Sequence, residues 1–295
     1  APGATFKSSD KDIDAIHAMC RRTFLANVMG GVQSDCPGRE RLGYGGDIVA
    51  TCNAYCLNFD MREFYLKTLQ DFADAAADDG WLTETAPYVG IADRGFGGRA
   101  GPVSWALVCP VLMETLLDYY GEEMALDYYP VCMRYIKLVE KSCPDGIIPR
   151  CIGDHEAIER APDSLVATAH WHEFVRLTAG FARRLGRAEE SAQLVKLAQT
   201  IRNAFVSRWV RESGEIGNGT QSAQAIGLYL GLVPEHLRAR AFAKLVAAVE
   251  SKGCAPMTGI FSTRYMLLVL AQNGRNDLAR KVVLHSGYPG WWHMI

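Results

Sequence analysis

The stretch Trp105–Tyr120, WALVCPVLMETLLDYY, is apolar on every side except at Glu114 and Asp118. A helix of that composition offers no face to water and is buried all round. Gln221–Leu232 and Ile260–Leu270 have the same character. Between these segments stand amphipathic ones: Asp10–Asn27, Met61–Ala75, Ser191–Arg208 and Glu235–Ser251. In the last of them Leu237, Ala241, Leu245 and Val249 recur at helical spacing, as Leu194, Leu197, Ile201 and Phe205 do earlier. Asp60-Met61-Arg62-Glu63 reads as a capping box opening a helix at Met61. Pro162 with Ser164 opens another, which Gly186 closes. Strand signals are nearly absent.

Helices that are alternately amphipathic and wholly apolar suit a two-layer toroid, an outer ring around an inner one. The predicted fold class is therefore all-α, an (α/α)6 barrel built as a six-hairpin toroid. The periodicity yields about eleven helices, one short of six hairpins. The series thus reads as incomplete at the C-terminal end: a single domain over residues 1–295, truncated before its last helix. The first and last helices are then expected to face each other across an open seam. A first residue other than Met, and a last residue, Ile295, inside an aromatic stretch, also predict a fragment.

Composition narrows the partners. A net charge of -2 gives no basic footprint for nucleic acid. No apolar run is long enough to cross a bilayer, and Glu114 follows Trp105–Met113 at once. The nine cysteines are an odd number and several stand in apolar helical runs, Cys109 and Cys132 among them. They read as reduced, buried thiols, which favours a cytoplasmic over a periplasmic setting. Cys52 and Cys56 share a helix face without a second pair to complete a zinc site. His170 and His172 lie on opposite sides of a helix. Nothing calls for a metal or an organic cofactor.

Long loops rich in Gly, Pro and charge run over Ser34–Asp47, Glu84–Pro102 and Asp145–Pro162, and function is expected on loops of this kind. The most telling is DCPGRERLGYGGD, residues Asp35–Asp47. It packs three carboxylates and two guanidiniums among four glycines. Glycines let backbone approach a ligand closely. Arginines beside carboxylates fix geometry and tune protonation. A charged helix-capping loop is the bland alternative.

This string resembles DCPQRERLGWTGD, the signature of glycoside hydrolase family 78, the bacterial α-L-rhamnosidases. The resemblance continues through NFDMREFYLKTLQDFADA and TAPYVG. Gly153-Asp154-His155 is similar to the family's GDW, and GNGTQSAQAIGLYLGLVPEHLR (Gly217–Arg238) to NGTQTAQALALYFGLVPEELR. MTGIFSTRYMLLVL (Met257–Leu270) and YPGWWHMI (Tyr288–Ile295) resemble LTTGFLGTPYLLEAL and YPSWGYML.

The resemblance implies inverting hydrolysis of terminal α-L-rhamnose, with rhamnose-containing glycosides or oligosaccharides as substrates. It implies Glu40 as general acid, with Asp35, Arg39 and Asp47 holding the sugar hydroxyls or the acid. Tyr44 stands where an aromatic lines the sugar site, and Asp154 and His155 stand for the GDW pair. The family's general base, in a TTxWE motif, is expected beyond Ile295, so the chain alone is expected to be inactive. Inverting chemistry needs one acid to protonate the leaving oxygen and one carboxylate to activate water. Asp35 and Asp47 would keep an acid between them protonated, and Arg39 and Arg41 oppose that. Trp105 and Trp291, with Trp292, are candidates to line the apolar side of rhamnose, each with a core reading beside it. Glu40, Asp35, Arg39, Asp47 and Asp154 are expected to converge on one cavity.

Two departures stand out. The family's GWGD appears as Gly101-Pro102-Val103-Ser104-Trp105, without the acid, and His155 replaces a stacking Trp. A different toroid glycosidase and a non-catalytic sugar-binding relic remain open as other readings.

Overall fold

A computed structural model describes residues 3–295. Twelve α-helices follow in order among the described residues: α1 Lys11–Asn27, α2 Gly45–Asn58, α3 Arg62–Ala75, α4 Val103–Ala106, α5 Val108–Tyr120, α6 Tyr129–Ser142, α7 Asp163–Arg184, α8 Ala188–Trp209, α9 Gln221–Tyr229, α10 Glu235–Glu250, α11 Ser262–Gln272 and α12 Asn276–Val283. The strands are a single hairpin, β1 Val28–Met29 against β2 Val32–Gln33. Its turn is Gly30-Gly31, both at positive φ, as a two-residue hairpin loop requires.

The helices gather in two compact units. Among the described residues the first takes Gly3–Ala4, Ala26–Ile152 and His170–Ala204; the second takes Thr5–Leu25, Gly153–Ala169 and Phe205–Ile295. In the first unit α5 is the buried rod that its composition demands. Cys109, Leu112, Met113 and Leu116 are all inaccessible, each contributing about 1.5–3 kcal/mol when it is a full-sized apolar side chain. Beside it Trp81, Tyr135, Phe174 and Trp171 form a chain of ring contacts. Tyr65, also buried, donates its hydroxyl to Gln33 Oε1 at 2.9 Å and so ties α3 to the hairpin. In the second unit Leu237, Ala241, Leu245 and Val249 are the buried stripe of α10. Arg280 of α12 pairs with Asp10 just ahead of α1, which makes the first and last helices neighbours.

Several boundaries differ from the sequence reading, each for a local reason. The apolar run at Trp105 is two helices, because Pro110 has no N–H to continue the ladder back to Ala106. Taken as one interrupted helix, α4 and α5 leave eleven. Helix α9 stops at Tyr229 instead of Leu232: Gly231 is left-handed at φ 67 and the Leu232 N–H returns to Gly227 O at 3.0 Å, a Schellman-type end. Helix α11 starts at Ser262, two residues late, where the Phe261 and Ser262 N–H groups are capped by the Asp154 carboxylate. The capping box at Asp60 is not formed. The Arg62 N–H reaches Asp60 Oδ1 at 3.3 Å, but Glu63 pairs with the Arg62 guanidinium.

Candidate active site

In the first unit the loop before α2 is closed at its neck by two bonds. The Asp35 N–H donates to Leu42 O at 3.1 Å, and the Leu42 N–H donates to Asp35 Oδ1 at 3.2 Å. Arg41 is exposed and left-handed at φ 62, its Nε donating to Pro37 O at 2.9 Å, so this guanidinium braces the loop. Arg39 faces outward, 72% exposed, with its guanidinium 3.8 Å from Asp35 and 3.5 Å from Glu40. The Glu40 side chain is 38% exposed and accepts the Tyr44 hydroxyl at 2.8 Å.

The three glycines after Leu42 are used for close approach. A Cβ on Gly43 would stand 2.5 Å from Ala86 O, one on Gly45 2.5 Å from Trp105 O, and one on Gly46 2.4 Å from the Trp105 ring. The segment Glu84–Ala86 lies directly along Gly43–Gly45. The Gly45 N–H donates to Glu84 O and the Ala86 N–H to Gly43 O, each at 3.0 Å. Trp105, 2% exposed, forms the floor under the first turn of α2. Ser104 beside it is fixed by buried His170, whose Nδ1 is 2.8 Å from the Ser104 hydroxyl.

Asp47 occupies that first turn. Burial, then the charge of Asp35 and to a lesser degree of Glu40, pushes its carboxyl up to about 6. Burial and the bond to Glu40 push the Tyr44 phenol up as well. One acid escaped the sequence reading. Glu84 is 4% exposed, accepts the Asp93 N–H at 2.8 Å, and is pushed up by burial and by the charges of Asp93 and Glu40. A lone acid inside the run Trp81–Pro87 was the available hint. Asp35, Arg39, Glu40, Tyr44, Asp47 and Trp105 thus belong to the first unit. The arrangement offers a half-exposed acid beside a hydroxyl donor, a guanidinium and a carboxyl that stays protonated up to mildly acidic pH, a set suited to proton delivery and to hydroxyl recognition.

Asp154, His155 and Trp291 belong to the second unit. Asp154 is buried and its carboxylate is fully engaged by Ser222 and by backbone amides at the start of α11. The His155 imidazole is 44% exposed and stands 3.5 Å from the Glu156 carboxylate. Trp291 opens a short 3-10 turn, Trp291–Met294, and is half-buried.

Comparison with known proteins supplies the family. Residues 2–295 match the bacterial alpha-L-rhamnosidase 6 hairpin glycosidase domain. An alpha-L-rhamnosidase of Streptomyces avermitilis is 31% identical over 269 residues, covering 90% of this chain and 25% of that protein. The structure of alpha-L-rhamnosidase from Dictyoglumus thermophilum superposes with a TM-score of 0.92 at 28% identity, over 99% of this chain and 34% of that one. The Streptomyces avermitilis enzyme complexed with L-rhamnose superposes with a TM-score of 0.89 at 28% identity, over 100% of this chain and 28% of that one. The chain spans about a quarter to a third of the length of these relatives. The fold is that of the (α/α)6 toroid, and the chain belongs to the bacterial alpha-L-rhamnosidase six-hairpin glycosidase family.

Proposed function

We propose that this chain supplies the acid half of an inverting α-L-rhamnosidase site, acting on terminal α-L-rhamnose of glycosides or oligosaccharides, with Glu40 as general acid. The observation that carries this is the exposure of Glu40 within its loop. It is the acid that reaches solvent at 38%, while Asp35 beside it is 11% exposed and Asp47 is half-buried in the first turn of α2. A group that delivers a proton must meet the glycosidic oxygen, and Glu40 is free to do so with Tyr44 and Arg39 steadying it. Asp35, Arg39, Tyr44 and Asp47 then hold the sugar hydroxyls. The relatives, one of them complexed with L-rhamnose, support the choice of sugar.

Inversion requires a second carboxylate, roughly 6.5–9.5 Å from the acid, to activate water on the opposite face of the ring. We propose that it comes from outside residues 1–295 and that these residues alone do not turn rhamnosides over. The test uses the reading frame extended downstream of Ile295 and a chromogenic α-L-rhamnoside. Turnover should appear in the extended protein, and Glu40→Gln should reduce it by about 10²–10⁴-fold with an unchanged melting temperature. Near-wild-type turnover by Glu40→Gln would sink the assignment. NMR of the first-formed anomer checks inversion independently.

A further inference from the structure

A cleft of about 300 Å³ opens within the first unit between α6 and α8, floored by Trp171 of α7. Helix α8 contributes Gln193, Lys196, Leu197 and Thr200, spaced so that they share one helix face. The end of α6 contributes Glu140 and Cys143. None of these residues belongs to the Asp35–Asp47 loop.

The sides of the cleft are polar and unengaged. Glu140, Gln193 and Lys196 are exposed, and among the described residues their side chains make no hydrogen bond or ion pair. Glu140 and Lys196 carry opposite charges and yet do not pair with each other. The Thr200 hydroxyl donates to Lys196 O at 3.1 Å and keeps its lone pairs. The floor is different. Trp171 is inaccessible overall, its ring against Phe174. Its indole N–H has no hydrogen-bond partner among the described residues, nor is it one of the unpartnered atoms sealed in the interior. The N–H therefore meets the cleft that Trp171 lines. An indole nitrogen only donates, so an occupant must offer it an oxygen. Cys143 is 4% exposed, and burial pushes its thiol up to about 11. It is thus neutral and acts as a small apolar group beside Leu197.

We propose that this cleft is a second saccharide site that takes one deoxyhexose ring, its hydroxyls on Glu140, Gln193, Lys196 and the Trp171 N–H and its methyl group against Cys143 and Leu197. The volume stands at the lower end of small-molecule sites, about 300–1,000 Å³, which suits a single ring. Hydroxyls both donate and accept, so they satisfy a carboxylate and an ammonium together. A purely anionic ligand would face Glu140. The choice of rhamnose as the deoxyhexose rests on the reading above, and the cleft would hold a further rhamnose unit of the glycan.

Fluorine NMR of the extended protein, with a fluorotryptophan in place of Trp171 alone, tests this. Methyl α-L-rhamnoside should shift that resonance saturably. Glu140→Ala and Lys196→Ala should each weaken the binding about two- to tenfold, the range for one lost hydrogen bond. Both side chains are exposed, so the melting temperature should not change. Glu40→Gln should leave the titration as it is. No saturable shift, or unchanged affinity in both cleft variants, overturns the proposal: the cleft then holds only water. A shift that disappears in Glu40→Gln overturns it too, because the sugar is then felt from the Glu40 loop. Should the labelled protein fail to fold, crystals of the unlabelled protein soaked in the same glycoside must show the ring between Glu140 and Lys196, and an empty cleft overturns the proposal. Retained turnover in Glu40→Gln would instead remove the functional reading and leave this titration untouched.

Discussion

The Tyr44 hydroxyl donates to Glu40 Oε2 at 2.8 Å, while the Tyr44 backbone is bridged to Thr85. The side chain that steadies the proposed acid is therefore anchored to a second loop. Hydrogen bonds to charged groups are worth about 1.5–3 kcal/mol. Tyr44→Phe removes this bond and keeps the ring, so kcat/KM should fall about ten- to hundredfold in the active protein. The same loss should lower the thermal midpoint by a few degrees. A variant as active as wild type would mean that the hydroxyl has no part in holding Glu40.

Gly46→Ala puts a methyl group 2.4 Å from the Trp105 indole, inside van der Waals contact. Trp105 is fully packed, so either its ring or the first turn of α2 has to shift. Overpacking of this kind costs about 1–3 kcal/mol, and Asp47 moves with the turn. Denaturant unfolding should show that loss, and a rhamnoside assay should show a larger KM. Unchanged stability would mean that the contact with Trp105 is slack.

What was legible in the sequence follows from the range of the interactions concerned. The α10 stripe could be read because four apolar residues repeat at the helical period within one segment. The Asp35–Asp47 loop was legible because its acids, arginines and glycines are contiguous. The break at Leu107 was not, because Pro110 acts on a carbonyl four residues behind it. The hairpin at Val28–Gln33 is too short for an alternation to register. Asp154 could be named but its partners could not: they stand 68, 105, 107 and 108 residues away. Burial of Glu84 is likewise imposed by Gly101, whose Cα faces the Glu84 backbone from another part of the chain.

Asp47 makes a pH prediction with a definite sign. Its carboxyl is pushed up from 3.8 to about 6, first by burial and then by Asp35. Between those values the native protein holds a proton that the unfolded chain has released. Stability from this group is therefore fully present below about pH 4 and is lost as pH rises through about 6. A shift of this size corresponds to about 3 kcal/mol. Asp47→Asn abolishes the dependence, so the variant should gain on wild type from pH 4 to pH 7 in urea unfolding. A constant difference between the two proteins across that range would rule out a raised Asp47 in the native state.

His170 and His172 predict the opposite slope over an overlapping range. Burial lowers His170 from 6.5 to about 3, and His172 to about 4 with Glu173 acting weakly against it. Both stay neutral in the native protein while the unfolded chain takes up their protons below about pH 6.5. Stability from these two groups is present above that pH and is lost as pH falls toward 4. They are not equivalent in their surroundings. His170 shares a hydrogen bond with Ser104 at 2.8 Å, whereas His172 Nδ1 is buried with no hydrogen-bond partner. Replacing His170 leaves the buried Ser104 hydroxyl with only the weaker Cys151 Sγ contact at 3.4 Å and costs stability at every pH. Replacing His172 removes an unsatisfied atom. His172→Leu should thus be near neutral at pH 7.5 and more stable than wild type at pH 5. His170→Leu should be destabilised by about 1–3 kcal/mol at pH 7.5, with a smaller deficit at pH 5. Urea unfolding at the two pH values separates the cases. Parallel losses for both variants, independent of pH, would show that neither histidine resists protonation.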